Sequence, residues 1–187
     1  MSQGTRAPRT VIIGCGRVGA ELAGRLCGAG HEVTIIDAFT EAFARLPETF
    51  TGQAIRGDGT DEDVLRRAGT EGADFFFALT EGDNRNVLAA QLAAESLSVQ
   101  NVVAKINDPV RADAYAALGI ATICRTRMMV DALGTHVGLP RDLTAHGVKR
   151  ATGRHHADHD TDRGEAAPAG AAELAGATSG TSAGAGA

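Results

Sequence analysis

Long apolar runs are missing from these 187 residues. No stretch approaches the ~18 residues that a membrane-spanning helix needs. Basic excess is missing too, since 18 Lys and Arg stand against 23 Asp and Glu, for a formal net charge of -5 and a pI ≈ 5.6. With aromatic residues at only 4%, no basic, aromatic-studded patch is available, which argues against nucleic acid as a partner. The opening residues, MSQGTRAPRT, have no apolar core of a signal peptide, so the chain is expected to stay in the cytoplasm. Cysteine is scarce and widely spaced: Cys15, Cys27 and Cys124 contain no C-x-x-C and make neither a disulfide framework nor a zinc site. The length accommodates one domain comfortably and a second only if small.

What is present is concentrated between Thr10 and Asp37, TVIIGCGRVGAELAGRLCGAGHEVTIID. Val11, Ile12 and Ile13 read as a strand buried on both faces. Gly14-Cys15-Gly16-Arg17-Val18-Gly19 is a complete G-x-G-x-x-G. It is followed by Val18, Leu22, Ala23 and Leu26 at helical spacing, and then by a turn and a second β-branched run that ends in Asp37. In a dinucleotide-binding unit each part has a task. Gly14 permits the tight turn, Gly16 lets the backbone approach a pyrophosphate, and Gly19 lets the helix pack near the strand. The helix beginning near Arg17 aims its free N–H groups and dipole at that phosphate. Asp37, 23 residues after Gly14, is placed to accept both ribose hydroxyls and to repel a 2′-phosphate, which favours NAD or an adenosine nucleotide over NADP.

Three residues in this unit or near it carry two readings each. Arg17 is either a solvated residue at a helix start, where the dipole disfavours it, or a clamp on a phosphate. Cys15 is either a small residue filling a tight turn or a thiol activated at a helix N-terminus as a redox sensor. Asp58, in Gly57-Asp58-Gly59-Thr60, is either an ordinary turn aspartate or an acceptor for an adenine amino group.

The rest of the chain alternates strands and helices. Thr40 is expected to cap a short helix over 41–46, closed by Pro47. Residues 53–56 form a third strand, and Thr60 with Asp63 predicts a capped helix over about 61–68. Residues 74–79 form a fourth strand ending in the polar loop Thr80-Glu81-Gly82-Asp83-Asn84. A long helix is expected over 84–97, a fifth strand over 101–106, a helix starting at Pro109, a sixth strand over 120–124 and a last amphipathic helix over 128–137. Six strands at this spacing predict a Rossmann-like, doubly wound parallel α/β sheet. Lys105 is the one cation inside a buried-strand pattern, and pointed into the crevice it reaches ribose or phosphate. Residues 1–9 read as a flexible start, 10–140 as one nucleotide-binding domain, and 141–187 as a low-complexity, disordered tail. Within the tail, Arg154-His155-His156-Ala157-Asp158-His159-Asp160 suits adventitious Zn²⁺ or Ni²⁺ binding and no catalytic metal.

The glycine motif, Asp37, Gly57-Asp58-Gly59-Thr60, the Thr80 loop, Val103-Ala104-Lys105-Ile106-Asn107-Asp108-Pro109 and the strand after Leu118-Gly119 occur together and in order. In this the chain resembles the N-terminal domain of TrkA-type regulators of potassium conductance, the RCK or KTN domain, from Thr10 to about Val137. The resemblance implies a non-enzymatic regulator bound to a membrane potassium channel or transporter and controlled by NAD(H) or ATP/ADP. It places Gly14 to Val18 on the phosphates and Asp37, with Ala38 beside it, on the ribose. Asp58 and Gly59 would lie beside the adenine, and Thr80, Glu81 and Lys105 would line the remainder. It implies that Arg17 meets a terminal phosphate and that 128–137 is an assembly surface for dimers and rings. Two departures qualify it. Thr126 stands where some ATP-sensing relatives carry a cation-binding acid, and the chain continues into a low-complexity tail in place of the second ligand-binding domain that family proteins often have. An NAD-dependent oxidoreductase and a ligand-independent assembly module are the competing readings.

Overall fold

A computed structural model describes residues 6–140. The expected tail, its His/Asp cluster and the first five residues lie outside the described residues. Six parallel strands form one sheet in the order β3-β2-β1-β4-β5-β6: β1 (Arg9–Ile13), β2 (Glu32–Asp37), β3 (Gln53–Arg56), β4 (Phe75–Ala78), β5 (Asn101–Ile106) and β6 (Thr122–Cys124). This is the Rossmann-like arrangement expected from the alternating pattern. The chain winds from β1 to one side and, from β4, to the other, so the carboxyl ends of β1 and β4 flank a topological switch point.

Side-chain alternation divides the core into two layers. Val11 and Ile13 of β1, Phe76 and Ala78 of β4, and Ala104 and Ile106 of β5 pack with Val64, Leu65, Val87 and Ala90 from helices α2 (Glu62–Arg67) and α3 (Asp83–Gln91). On the opposite face Ile12, Val33 and Ile35 pack with Cys15, Ala20 and Ala23 around helix α1 (Arg17–Gly28). Helix α4 (Pro109–Ala117) begins with Pro109, and Asp108 caps it by accepting from Val110 N at 2.8 Å.

Several expected boundaries shift for identifiable reasons. Thr60 does not cap α2; its hydroxyl donates to Asp58, and Asp61 takes the cap by accepting from Asp63 N at 2.9 Å. Thr40 does not cap either, because residues Thr40–Arg45 form a 3-10 turn preceded by Phe39 with no side-chain cap. The long helix expected to Leu97 ends as α3 at Gln91 and continues as a π turn over Leu92–Ser96, where Leu97 N reaches back to Leu92 O at 3.1 Å. Asp74 lies outside β4 because its carboxylate accepts from Arg9 N at 2.7 Å. The last helix, α5 (Arg125–His136), starts three residues before Met128 and buries none of its residues.

Gly19 shows how tightly the first turn is built: a Cβ there would lie 2.0 Å from the carbonyl oxygen of Gly14. Backbone on backbone has no side chain to move aside. Gly19→Ala is therefore expected to destabilise the domain by about 1–3 kcal/mol, in the range of core overpacking, as read from urea unfolding. A change below about 0.5 kcal/mol would mean that the helix does not approach the strand this closely.

Candidate functional site

At the switch point the loops after β1, β2, β3 and β4 enclose a cleft of about 550 Å³. Its lining includes Gly14, Cys15, Gly16 and Arg17 from the glycine loop, Asp37 and Ala38 after β2, Asp58 and Gly59 after β3, and Thr80 and Glu81 after β4. Ten of the predicted site residues thus meet in one place. The three others, Val18, Gly19 and Lys105, are not part of the lining. Val18 is exposed on the first turn of α1, and Gly19 lies beneath the loop it supports. Lys105 sits one strand over, its side chain only 6% exposed, and meets the cleft through Glu81, whose Oε1 is 3.4 Å from the ammonium.

Local backbone geometry explains the glycine loop. Gly14 has φ +95°, and a Cβ on it would press against Thr80 N at 2.8 Å, so the loops after β1 and β4 touch backbone to backbone. Gly14 N donates to Ile36 O at 2.7 Å, tying the same loop to β2. Beside Gly16 the space is open, with nothing within 4 Å of where a Cβ would stand. The loop is anchored at both ends and free in the middle, where a phosphate would approach the first N–H groups of α1.

Asp37 belongs to this loop as much as to β2. Its Oδ2 accepts from Cys15 N at 2.7 Å and its Oδ1 from Phe39 N at 3.0 Å. Each carboxylate oxygen keeps a further lone pair, so the two ribose hydroxyls can still be accepted. Asp58 is held in its turn by Thr60, whose amide and hydroxyl donate to Oδ1 at 3.0 and 2.8 Å. Those two bonds, the amide's foremost, hold the carboxyl below the usual range, with a smaller contribution from Arg85. The turn reading and the ligand reading are compatible, because the turn uses one oxygen.

Some cleft residues carry no signal in the motif. Arg45 from the 3-10 turn and Arg85 from α3 join Arg17 to give three guanidiniums facing four acids, Asp37, Glu41, Asp58 and Glu81. Phe39, 69% exposed, lines the same cleft. Beneath the Thr80 loop, Asn86 is fully buried and makes four hydrogen bonds. Its Oδ1 accepts from Thr80 N and Oγ1, and its Nδ2 donates to Thr80 O and Lys105 O, at 2.7 to 2.9 Å. Asp83 similarly accepts from Asn107 N at 2.9 Å and Asp108 N at 3.2 Å. The one available sign of Asn86 was its place in the sequence beside Val87, Ala89 and Ala90, with which it shares the buried face of α3.

Cys15 has no exposure, and burial first, then the neighbouring Asp37 carboxylate, push its thiol up from 9.0 to about 11 against a smaller opposing effect of Arg45. The protonated thiol is the form that the fold favours. It contributes fully below pH 9, and that contribution is lost as pH rises towards 11. A thiolate-based sensor needs the opposite shift. Iodoacetamide at pH 8 is expected to label the half-buried Cys27 and leave Cys15 unmodified in the native chain, with both labelled in denaturant, as read by peptide mass spectrometry. Labelling of Cys15 at the rate of Cys27 would contradict this environment.

Comparison with known proteins adds to this geometry. The TrkA-N domain family matches residues 10–126. The Trk system potassium uptake protein TrkA of Streptomyces coelicolor is 47% identical over 121 residues, covering 65% of this chain and 54% of that protein. The chain thus spans about half the length of that relative. Among solved structures, the Shewanella denitrificans Kef CTD in AMP-bound form superposes with a TM-score of 0.58 at 23% identity, over 70% of this chain and 81% of that one. The GsuK channel bound to NAD gives 0.56 at 22% identity, over 72% of this chain and 24% of that one. At these identities the structures share the fold.

Proposed function

Because this chain belongs to the TrkA-N domain family, we propose that it is a regulatory module whose cleft binds NAD(H) or ATP/ADP and whose ligand state gates a membrane potassium channel or transporter. The observation that carries the reading is the joint placement of Asp37 and the open glycine loop on one cleft, with Arg17 at the first position of α1. A cation at a helix N-terminus costs about 0.3–1 kcal/mol unless an anion sits there, and a phosphate supplies one. Potassium uptake in the TrkA relative, and AMP and NAD in the two similar structures, support the class of ligand and of partner.

We read the cleft as a binding site. Among the described residues, His31 lies at the opposite end of the sheet, its Nδ1 3.0 Å from Thr10 Oγ1, and His136 ends α5, so neither histidine stands in the cleft. Regulation then requires that two ligands favour different states of the protein. The region 10–140 is the binding domain in this reading, working in the cytoplasm at the inner face of the membrane through its partner. No helix among the described residues is long and apolar enough to cross a membrane itself.

Assembly is assigned to α5. Met129, Val130 and Leu133 are 58%, 61% and 65% exposed on a helix none of whose residues is buried. A second copy of this chain, in a homodimer or a larger ring, gives that face a partner.

Two measurements test the reading. Calorimetric titration with NAD⁺, NADH, ATP and ADP is expected to show at least one ligand binding below millimolar, weakened about 10- to 100-fold in Asp37→Ala, as for loss of hydrogen bonds to a charged group. Absence of binding by all four ligands, or full affinity in the variant, would refute the site. Val130→Glu combined with Leu133→Glu is expected to convert the assembly to monomers in light scattering and to change nucleotide affinity less than about twofold. An unchanged mass would move the interface elsewhere.

A further inference from the structure

At the amino end of the sheet, opposite the cleft already described, a separate groove of about 430 Å³ opens on the face that carries α2. Its origin is a mismatch of lengths. Helix α2 has six residues, about 9 Å of helix, while β2 beneath it has six residues in about 20 Å of strand. Ile36 and Ile55, partners across β2 and β3, pack in the same core cluster as Val64 of α2. Two residues earlier on that face the partners are Thr34 and Gln53, and Glu32 precedes them, so the strands turn polar where the helix gives out.

Two guanidiniums line this groove. Arg67, the last residue of α2, is exposed and has no hydrogen bond or ion pair among the described residues, whereas its neighbour Arg66 is held by Glu62 and Glu71. Arg9, half-buried at the start of β1, donates from Nη2 to Gly69 O at 3.2 Å. Two glycines make room for it. A Cβ on Gly69, at φ +74°, would lie 3.0 Å from Nη2, and one on Gly72, at φ +84°, 3.5 Å from Nη1. The bond occupies a carbonyl just past the end of α2 that would repel an anion, and it leaves the guanidinium with donors to spare. Glu32 lines the same groove, exposed and also unpaired among the described residues, although the strand register sets it beside Arg9.

We propose that this groove is a second ligand site and that its ligand is an acidic amino acid. With the His31 imidazole neutral, two guanidiniums against one carboxylate leave the lining one positive charge in excess. A molecule with two carboxylates and one ammonium has the opposite excess and one group for each charge: the carboxylates for Arg9 and Arg67, the ammonium for Glu32. Thr34 and Gln53 add a hydroxyl and an amide to the lining. A dicarboxylate without the ammonium leaves Glu32 facing like charge, and a neutral amino acid leaves one guanidinium unanswered. The volume is that of a small-molecule site, and the groove shares no lining residue with the cleft, so the inference stands apart from the nucleotide reading.

The test is calorimetric titration of the full chain at pH 8 with L-glutamate, L-glutamine and glutarate, comparing wild type, Arg67→Gln and Glu32→Gln. Both positions are exposed, so folding is not at stake. Wild type is expected to bind glutamate at about 1 mM or tighter, and glutamine and glutarate at least about threefold more weakly. Arg67→Gln is expected to weaken glutamate about 3- to 10-fold, as for one charge-assisted contact partly screened by water. Glu32→Gln is expected to weaken glutamate and to tighten glutarate, bringing the two together. If glutamate shows no saturation by about 10 mM, if glutarate binds wild type as well as glutamate does, or if either variant keeps full glutamate affinity, the proposal is overturned while the cleft is untouched.

Discussion

One hydrogen bond joins the two halves of the site: the amide of Cys15 donating to Asp37 Oδ2 at 2.7 Å. It fixes the carboxyl end of β2 against the loop that follows β1, so the groups suited to ribose and to phosphate sit in one rigid frame before any ligand arrives. The cost of bringing them together is met by folding and not by binding, which is the physical content of preorganisation. The same contact adds to the environment of Cys15: burial first, and then this carboxylate, keep the thiol protonated.

The frame extends to the other side of the switch point through polar ties in a packed interior. Asn86 uses all its donors and acceptors to hold the β4 loop to β5, and Asp83 does the same for the loop before α4. The network around Asn86 is complete, and completeness matters, since a buried polar group without a partner costs about 1–3 kcal/mol. Above this floor the exposed groups Arg17, Arg45, Arg85 and Glu81 are the adjustable part of the cleft.

Most of the fold was legible in the residues because it rests on local, periodic signals. The β-branched runs Val11–Ile13 and Val33–Ile36, the glycines at fixed offsets and the regular alternation of strands with helices specify a parallel sheet with little ambiguity. Asp37 was legible because its place follows from chain geometry along one βαβ unit. Arg45 and Arg85 were not, since each reaches the cleft from a separate element and no spacing rule links a 3-10 turn to the start of α3. Thr60 was misread as a cap because its hydroxyl is turned to Asp58, while the next residue, Asp61, accepts from the first amides of α2. Lys105 was expected to point into the crevice, but it is not in the lining, and its counter-ion comes from a loop 24 residues earlier, a relation that only the folded chain displays.

The two outer strands of the sheet are short: β3 has four residues and β6 has three. An edge of so few unpaired amides is a poor template for adding a foreign strand, which protects the sheet against runaway lateral growth. A contact between copies through helix side chains, as proposed for α5, would come apart without unzipping any backbone ladder. A module joined to its neighbours in that way can rearrange repeatedly and keep its own architecture throughout.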